Sequence, residues 1–154
     1  MKKTRRDFLS LTGRLGLAAA ALTSGLFSRI AMAVDTRPAF EATSLKDALA
    51  SIGVTEHQAS AEIILKAPDI AENGAVVPVE VTSKLPGTRS IALLVEKNPH
   101  QMSAEFMIPE GTEAFVATRL KVAETSNVFA VVKTDAGVFH AAKVVKVTLG
   151  GCGG

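Results

Sequence analysis

From Ala61 to Leu149 the chain repeats one pattern: short apolar, β-branched runs, each closed by a turn signal. The runs are AEIILKA, AVVPVEV, SIALLVEK, SAEFMI, AFVATRLKV, NVFAVVK and VFHAAKVVKVTL. The breaks are Asn73-Gly74, Pro86-Gly87, Asn98-Pro99, Pro109 to Gly111, Thr125 to Asn127 and Asp135 to Gly137. Successive side chains of a strand point to opposite faces, so a period of two marks a strand with one buried face. Val77, Val79 and Val81 stand opposite Pro78, Glu80 and Thr82 in this way. Val116, Thr118, Leu120 and Val122 stand opposite Phe115, Ala117, Arg119 and Lys121. Seven such strands predict a mainly β fold, an immunoglobulin-like antiparallel β-sandwich. With 47% hydrophobic residues in 154, the chain has enough apolar material for one core.

Two runs have almost no polar face, Ile91–Val95 and Val128–Val132. Either they are central strands buried on both sides, or one outer face packs on another protein. Pro78 has no N–H for a ladder, so its strand is expected at a sheet edge or with a bulge there. One short N-terminal helix is expected over SLKDALASIG. Ser44 and Asp47 form a capping pattern, Leu45, Ala48, Leu49 and Ile52 make one apolar face, and Gly53 is a natural stop. Residues 34–43, with Pro38, read as a short lead-in.

Residues 1–33 read as an export signal rather than as part of the fold. A basic start is followed by an apolar stretch from Leu15 to Phe27, and Ala31-Met32-Ala33 offers the small residues of a cleavage site. Thr23, Ser24 and Gly25 interrupt the apolar stretch, which falls short of the roughly 20 residues that a membrane anchor needs. Arg5, Arg6, Phe8 and Leu9 in TRRDFLS resemble the twin-arginine signal of folded-protein export, with Ser10 where that signal usually has lysine. The expectation is a periplasmic protein, exported already folded. Six of the 17 basic residues and one of the 15 acidic ones lie in 1–33, leaving 11 against 14, a net of −3. A mildly acidic domain of that kind gives no electrostatic case for nucleic acid or for an anionic membrane.

The chain ends in GGCGG, with Cys152 its one cysteine. A disulfide within the chain is therefore impossible. A structural zinc site needs several ligands at motif spacing, whereas His57, His100 and His140 are scattered singly along the chain. A catalytic thiol needs rigid placement beside a base, which the flanking glycines oppose. A lipobox belongs at the end of a signal peptide, and prenylation takes a cysteine fourth from the end; Cys152 is third. The diglycine of ubiquitin-like modifiers belongs to a cytoplasmic setting and to another fold. What the residues favour is a swinging arm over 150–154. Gly150, Gly151, Gly153 and Gly154 carry no side chain, and from Leu149 the thiol reaches about 10 Å. Nothing cationic lies in the tail to favour a thiolate, so activation is expected from a partner's active site. A thiol can hold sulfur through an S–S bond that is made oxidatively and broken by nucleophiles.

At this point the chain resembles a known family. The terminal GGCGG, IAENGAVVPVEV (70–81), ALLVEKNP (92–99) and ETSNVFAVVK (124–133) are similar to SoxY, the sulfur carriers of bacterial thiosulfate oxidation. The resemblance runs over the whole of 34–154. It implies a carrier rather than an enzyme, with no cofactor and no metal site. Cys152 would be the covalent attachment point for sulfur intermediates, a thiosulfonate and a persulfide. It also implies a heterodimer with a SoxZ-like subunit. Transient contacts would follow with a haem enzyme of SoxXA type, a dimanganese hydrolase of SoxB type and, in complete pathways, a sulfur dehydrogenase of SoxCD type. The competing reading is a periplasmic interaction module whose Cys152 only cross-links two copies.

Overall fold

The computed structural model describes residues 37–149. The expected signal segment 1–33, with Arg5, Arg6, Phe8 and Leu9, and the expected arm 150–154, with Cys152, lie outside the described residues.

Nine strands follow two short helices. The helices are α1, Pro38–Glu41, and α2, Leu45–Ser51. The strands are β1 Gln58–Ala59, β2 Ile63–Lys66, β3 Ile70–Asn73, β4 Val77–Ser83, β5 Thr88–Val95, β6 Met102–Met107, β7 Phe115–Leu120, β8 Ser126–Thr134 and β9 Gly137–Leu149. A six-stranded sheet runs β1-β9-β8-β5-β6, with β3 also on β9; a three-stranded sheet runs β2-β4-β7. All seven expected runs are strands, and the fold is a β-sandwich. The main pairings are antiparallel, as expected. Two are not: β1 and β3 both run parallel to β9. Neither carried a sequence signal, β1 because it has two residues and β3 because three of its four residues are exposed.

The two sheets enclose a core in which alternation is kept. Val77, Val79 and Val81 of β4 and Val116 and Leu120 of β7 meet Ile91, Leu93 and Val95 of β5 and Val128, Ala130 and Val132 of β8. On the other face of the six-stranded sheet a second core forms. There Ala92, Leu94, Met102 and Val131 pack against Ala39, Ala48, Leu49 and Val54. The two nearly all-apolar runs are thus internal strands, buried on one face by the small sheet and on the other by the helical segment. Their outer face needs no other protein to cover it. A buried aliphatic side chain is worth roughly 1.5–3 kcal/mol relative to an exposed one, so this cover is a substantial part of the fold.

Where one helix was expected there are two. Pro38, read as part of a lead-in, stands in the first turn of α1, where its missing N–H costs nothing. Four residues are too few to show a helical period. Ser44 caps α2 by accepting from the Asp47 N–H at 3.0 Å, and Gly53 ends it at φ +75°. Pro78 does not lie in an edge strand, because β4 is the middle strand of its sheet. Yet β2 reaches only to Lys66 opposite Glu80, so Pro78 has a neighbour on the β7 side alone. The strand is central, but the proline sits where the ladder has one side.

Candidate functional site at the root of the C-terminal arm

The last described strand determines where the arm begins. β9 is 13 residues long, and the end of its ladder is held on two sides. Ser126 of β8 pairs with Val145, while Ile70, Ala71 and Asn73 of β3 pair with Lys146, Val147 and Leu149. Val145 is fully buried, and Val147 packs against the same core. Hydrogen bonds outside the ladders add to this. The Lys146 N–H donates to the Asp69 carbonyl at 3.0 Å, the Val147 N–H to Thr125 Oγ1 at 3.0 Å, and Thr148 Oγ1 to the Glu72 carbonyl at 3.1 Å. Lys143 Nζ reaches the Ala67 carbonyl at 2.5 Å and Asp69 Oδ1 at 3.0 Å, tying the β2–β3 connection to β9. Whatever follows Leu149 therefore starts from a fixed point.

Three loops close around this end of the sandwich. Asn98 bridges two of them, with Nδ2 donating to the Lys121 carbonyl at 2.7 Å and Oδ1 accepting from the Ala123 N–H at 2.9 Å. The Lys97 N–H donates to Ser126 Oγ at 3.0 Å, and Asn127 Nδ2 donates to Glu96 Oε2 at 2.8 Å. The third loop is the 3-10 turn Gly74–Val76, capped by Asn73 Oδ1 on the Ala75 N–H at 2.8 Å. The Gly74 carbonyl accepts from the Val122 N–H at 2.7 Å.

The family model described as "Sulfur oxidation protein SoxY" matches residues 49–152, and so reaches the cysteine itself. A solved structure, "Structure of the sulfur carrier protein SoxY from Chlorobium limicola f thiosulfatophilum", is 37% identical. It has a TM-score of 0.59 and covers 66% of this chain and 92% of its own. The chain belongs to the SoxY family. It is a sulfur carrier of the Sox system of thiosulfate oxidation. A superoxide reductase (neelaredoxin) from Ignicoccus hospitalis is similar at 22% identity and a TM-score of 0.50, over 60% of this chain and 82% of its own. That likeness is one of fold. No curated protein matches significantly.

The three internal stretches that carry the SoxY resemblance in sequence are brought together by the fold. Asn73-Gly74 belongs to the first, Glu96, Lys97 and Asn98 to the second, Ser126 and Asn127 to the third. All lie in, or at the strand ends next to, the interlocked loops around the root of the arm. Sequence reasoning singled the stretches out without showing that they meet.

It also missed a pairing. His57 and His140, which look scattered, are adjacent: their Nδ1 atoms are 2.8 Å apart and the rings stand perpendicular at 4.5 Å between centroids. Burial, and then the neighbouring His57, push the His140 pKa below the ordinary imidazole value, while a backbone hydrogen bond with Gln58 acts in the other direction. No sequence spacing signals a contact across 83 residues. His100 stands apart, its Nδ1 3.1 Å from the Glu41 carbonyl. Among the described residues no group of three or more His, Cys, Asp or Glu is placed to hold a metal.

Proposed function

We propose that the chain carries thiosulfate-derived sulfur covalently on Cys152 and presents it to partner enzymes, without catalysing any step itself. The observation that carries this reading is the SoxY match, which extends to Cys152, on a chain whose last strand is pinned next to the arm. On this reading a fixed root and a short glycine tether would keep the thiol within about 10 Å of Leu149. Effective concentration at a docked active site rises accordingly. Glycine flanks let the tether enter a narrow tunnel without a side chain to obstruct it.

In the first step the Cys152 thiol and thiosulfate join to give Cys–S–S–sulfonate, one proton and two electrons, and a haem enzyme of SoxXA type takes the electrons. Water then cleaves the sulfonate at a dimanganese hydrolase of SoxB type, giving sulfate, two protons and a persulfide on Cys152. A sulfur dehydrogenase of SoxCD type oxidises the outer sulfur where the host has one. Activation of the thiol falls to each enzyme, since the tail supplies no base and no cation. A SoxZ-like subunit is the stable partner, and the twin-arginine-like signal carries the folded pair to the periplasm.

Intact mass of the protein from thiosulfate-grown cells tests the reading. Sulfur adducts confined to Cys152 are expected. Free thiol and disulfide-linked dimer alone would make it an interaction module instead.

A further inference from the structure

We propose that His57 and His140 form a two-imidazole site for a divalent transition metal of Cu2+ type, separate from the sulfur-carrying arm. The pair joins two distant parts of the chain. His57 lies in the connection from α2 to β1, and His140 lies on β9, where it is opposite Ala59 of β1 and Val131 of β8. Their Nδ1 atoms are 2.8 Å apart. Two imidazole nitrogens bound cis to one metal in tetragonal geometry, at about 2.0 Å each, stand about 2.8 Å apart. Tetrahedral binding would hold them at about 3.3 Å. The observed spacing therefore suits a square-planar or tetragonal ion, with Cu2+ ahead of Zn2+, and the order of intrinsic affinities points the same way.

Two further features make the site usable. His57 is exposed, so its ring has room to turn its lone pair from His140 toward a shared ion. An open cleft lined by Thr55, Glu56, Gln58, Gly137 and Val138 adjoins His57 and gives water or a small anion access from the His57 side. Both rings must offer a free lone pair at Nδ1 to coordinate. The site is nine residues up β9 from Leu149, roughly 30 Å along the strand, so an ion there leaves the root of the arm alone. An ion bound there would also fasten the α2–β1 connection to β9.

The test uses the chain carrying Cys152→Ser, which removes the one thiol that would itself bind or reduce copper. Cupric chloride is titrated in a weakly chelating buffer and followed by electron paramagnetic resonance and by Tm. One equivalent should bind, with hyperfine coupling from imidazole nitrogens and a raised Tm. His57→Gln and His140→Gln should each weaken binding roughly tenfold or more, and His100→Gln should change nothing. His57 is exposed, so its variant keeps the fold and the comparison stands even if His140→Gln unfolds. Binding that His57→Gln leaves unchanged, or no saturable binding, would overturn the proposal and leave a plain imidazole–imidazole hydrogen bond.

Discussion

Lys133 lies where two layers meet. Its Nζ donates to the Ile52 carbonyl at the end of α2, at 2.5 Å, and to Glu105 Oε1 at 3.2 Å. Both ionic side chains are about three-quarters buried, so the pair is less screened than a surface one. Lys133→Met should cost about 1–3 kcal/mol, because it leaves the Ile52 carbonyl and the Glu105 carboxylate without their donor. Urea unfolding measures this, and a loss within error would show that water replaces the ammonium at no cost. The arm calls for a different experiment, since reach and reactivity must be separated. Cys152→Ser should abolish sulfur loading and leave the unfolding midpoint where it was. Val at both Gly151 and Gly153 should hardly change the reaction of the thiol with a small reagent, yet slow turnover by the partner enzymes. Equal loss in both assays would mean that the glycines tune the thiol rather than let it thread a tunnel.

At the scale of elements, β9 connects most of the molecule. It pairs with β8 from Gly137 to Val145 and with β1 and β3 on its other edge. His140 sits on the β1 side, and its burial, with His57 beside it, gives this edge a pH dependence. Because the His140 pKa is lower in the folded chain than in the unfolded one, the unfolded chain binds more protons between the two values. The contribution to stability is therefore present above about pH 6.5 and is lost as the pH falls through the lower folded value. Stability should decline on acidification through this window, and His140→Gln should flatten the decline. Unfolding midpoints at pH 7.5 and 5 decide it; parallel declines in the two proteins would assign the effect to other groups. Helices α1 and α2 make another element-scale unit. Too short to persist alone, they are held by the apolar residues they cover. Removing residues 37–54 should uncover Ala92, Leu94 and Val131 and make the chain self-associate on a sizing column. A soluble, monomeric truncated chain would show that the helices are dispensable cover.

For the whole molecule, this cover changes what the apolar runs imply. An intact chain has no sticky face at Ile91–Val95 or Val128–Val132, so neither run drives association. Among the described residues, the large apolar side chains that stay exposed, Ile70, Val76, Met107, Phe115 and Val144, belong to neither run. The proposed export would also be a property of the whole chain, since the twin-arginine route takes folded cargo. Changing Arg5 and Arg6 together to lysine should strand precursor in the cytoplasm with the fold of 37–149 unaltered. Normal periplasmic levels of that variant would remove the export reading while leaving the SoxY assignment intact.

Much was legible in the sequence because it depends on local periodicity and chemistry. The seven long strands, the Ser44 cap, the stop at Gly53 and the SoxY resemblance of GGCGG are of that kind, since each is written in neighbouring residues. Alternation in β4 and β7 told which side chains face the core, because one face of each strand meets water. Other features have no local signature. An all-apolar strand looks the same whether helices or a partner covers it, and only the packing of Ala48 and Leu49 on Ala92 and Leu94 settled that for β5. Whether Pro78 is tolerated in a middle strand depended on where β2 stops. The parallel additions β1 and β3, the meeting of His57 with His140, and the interlocking of three separate loops at the root of the arm depend on contacts between residues far apart in the chain. Such contacts follow from how β9 lies among its neighbours, which no window of sequence contains.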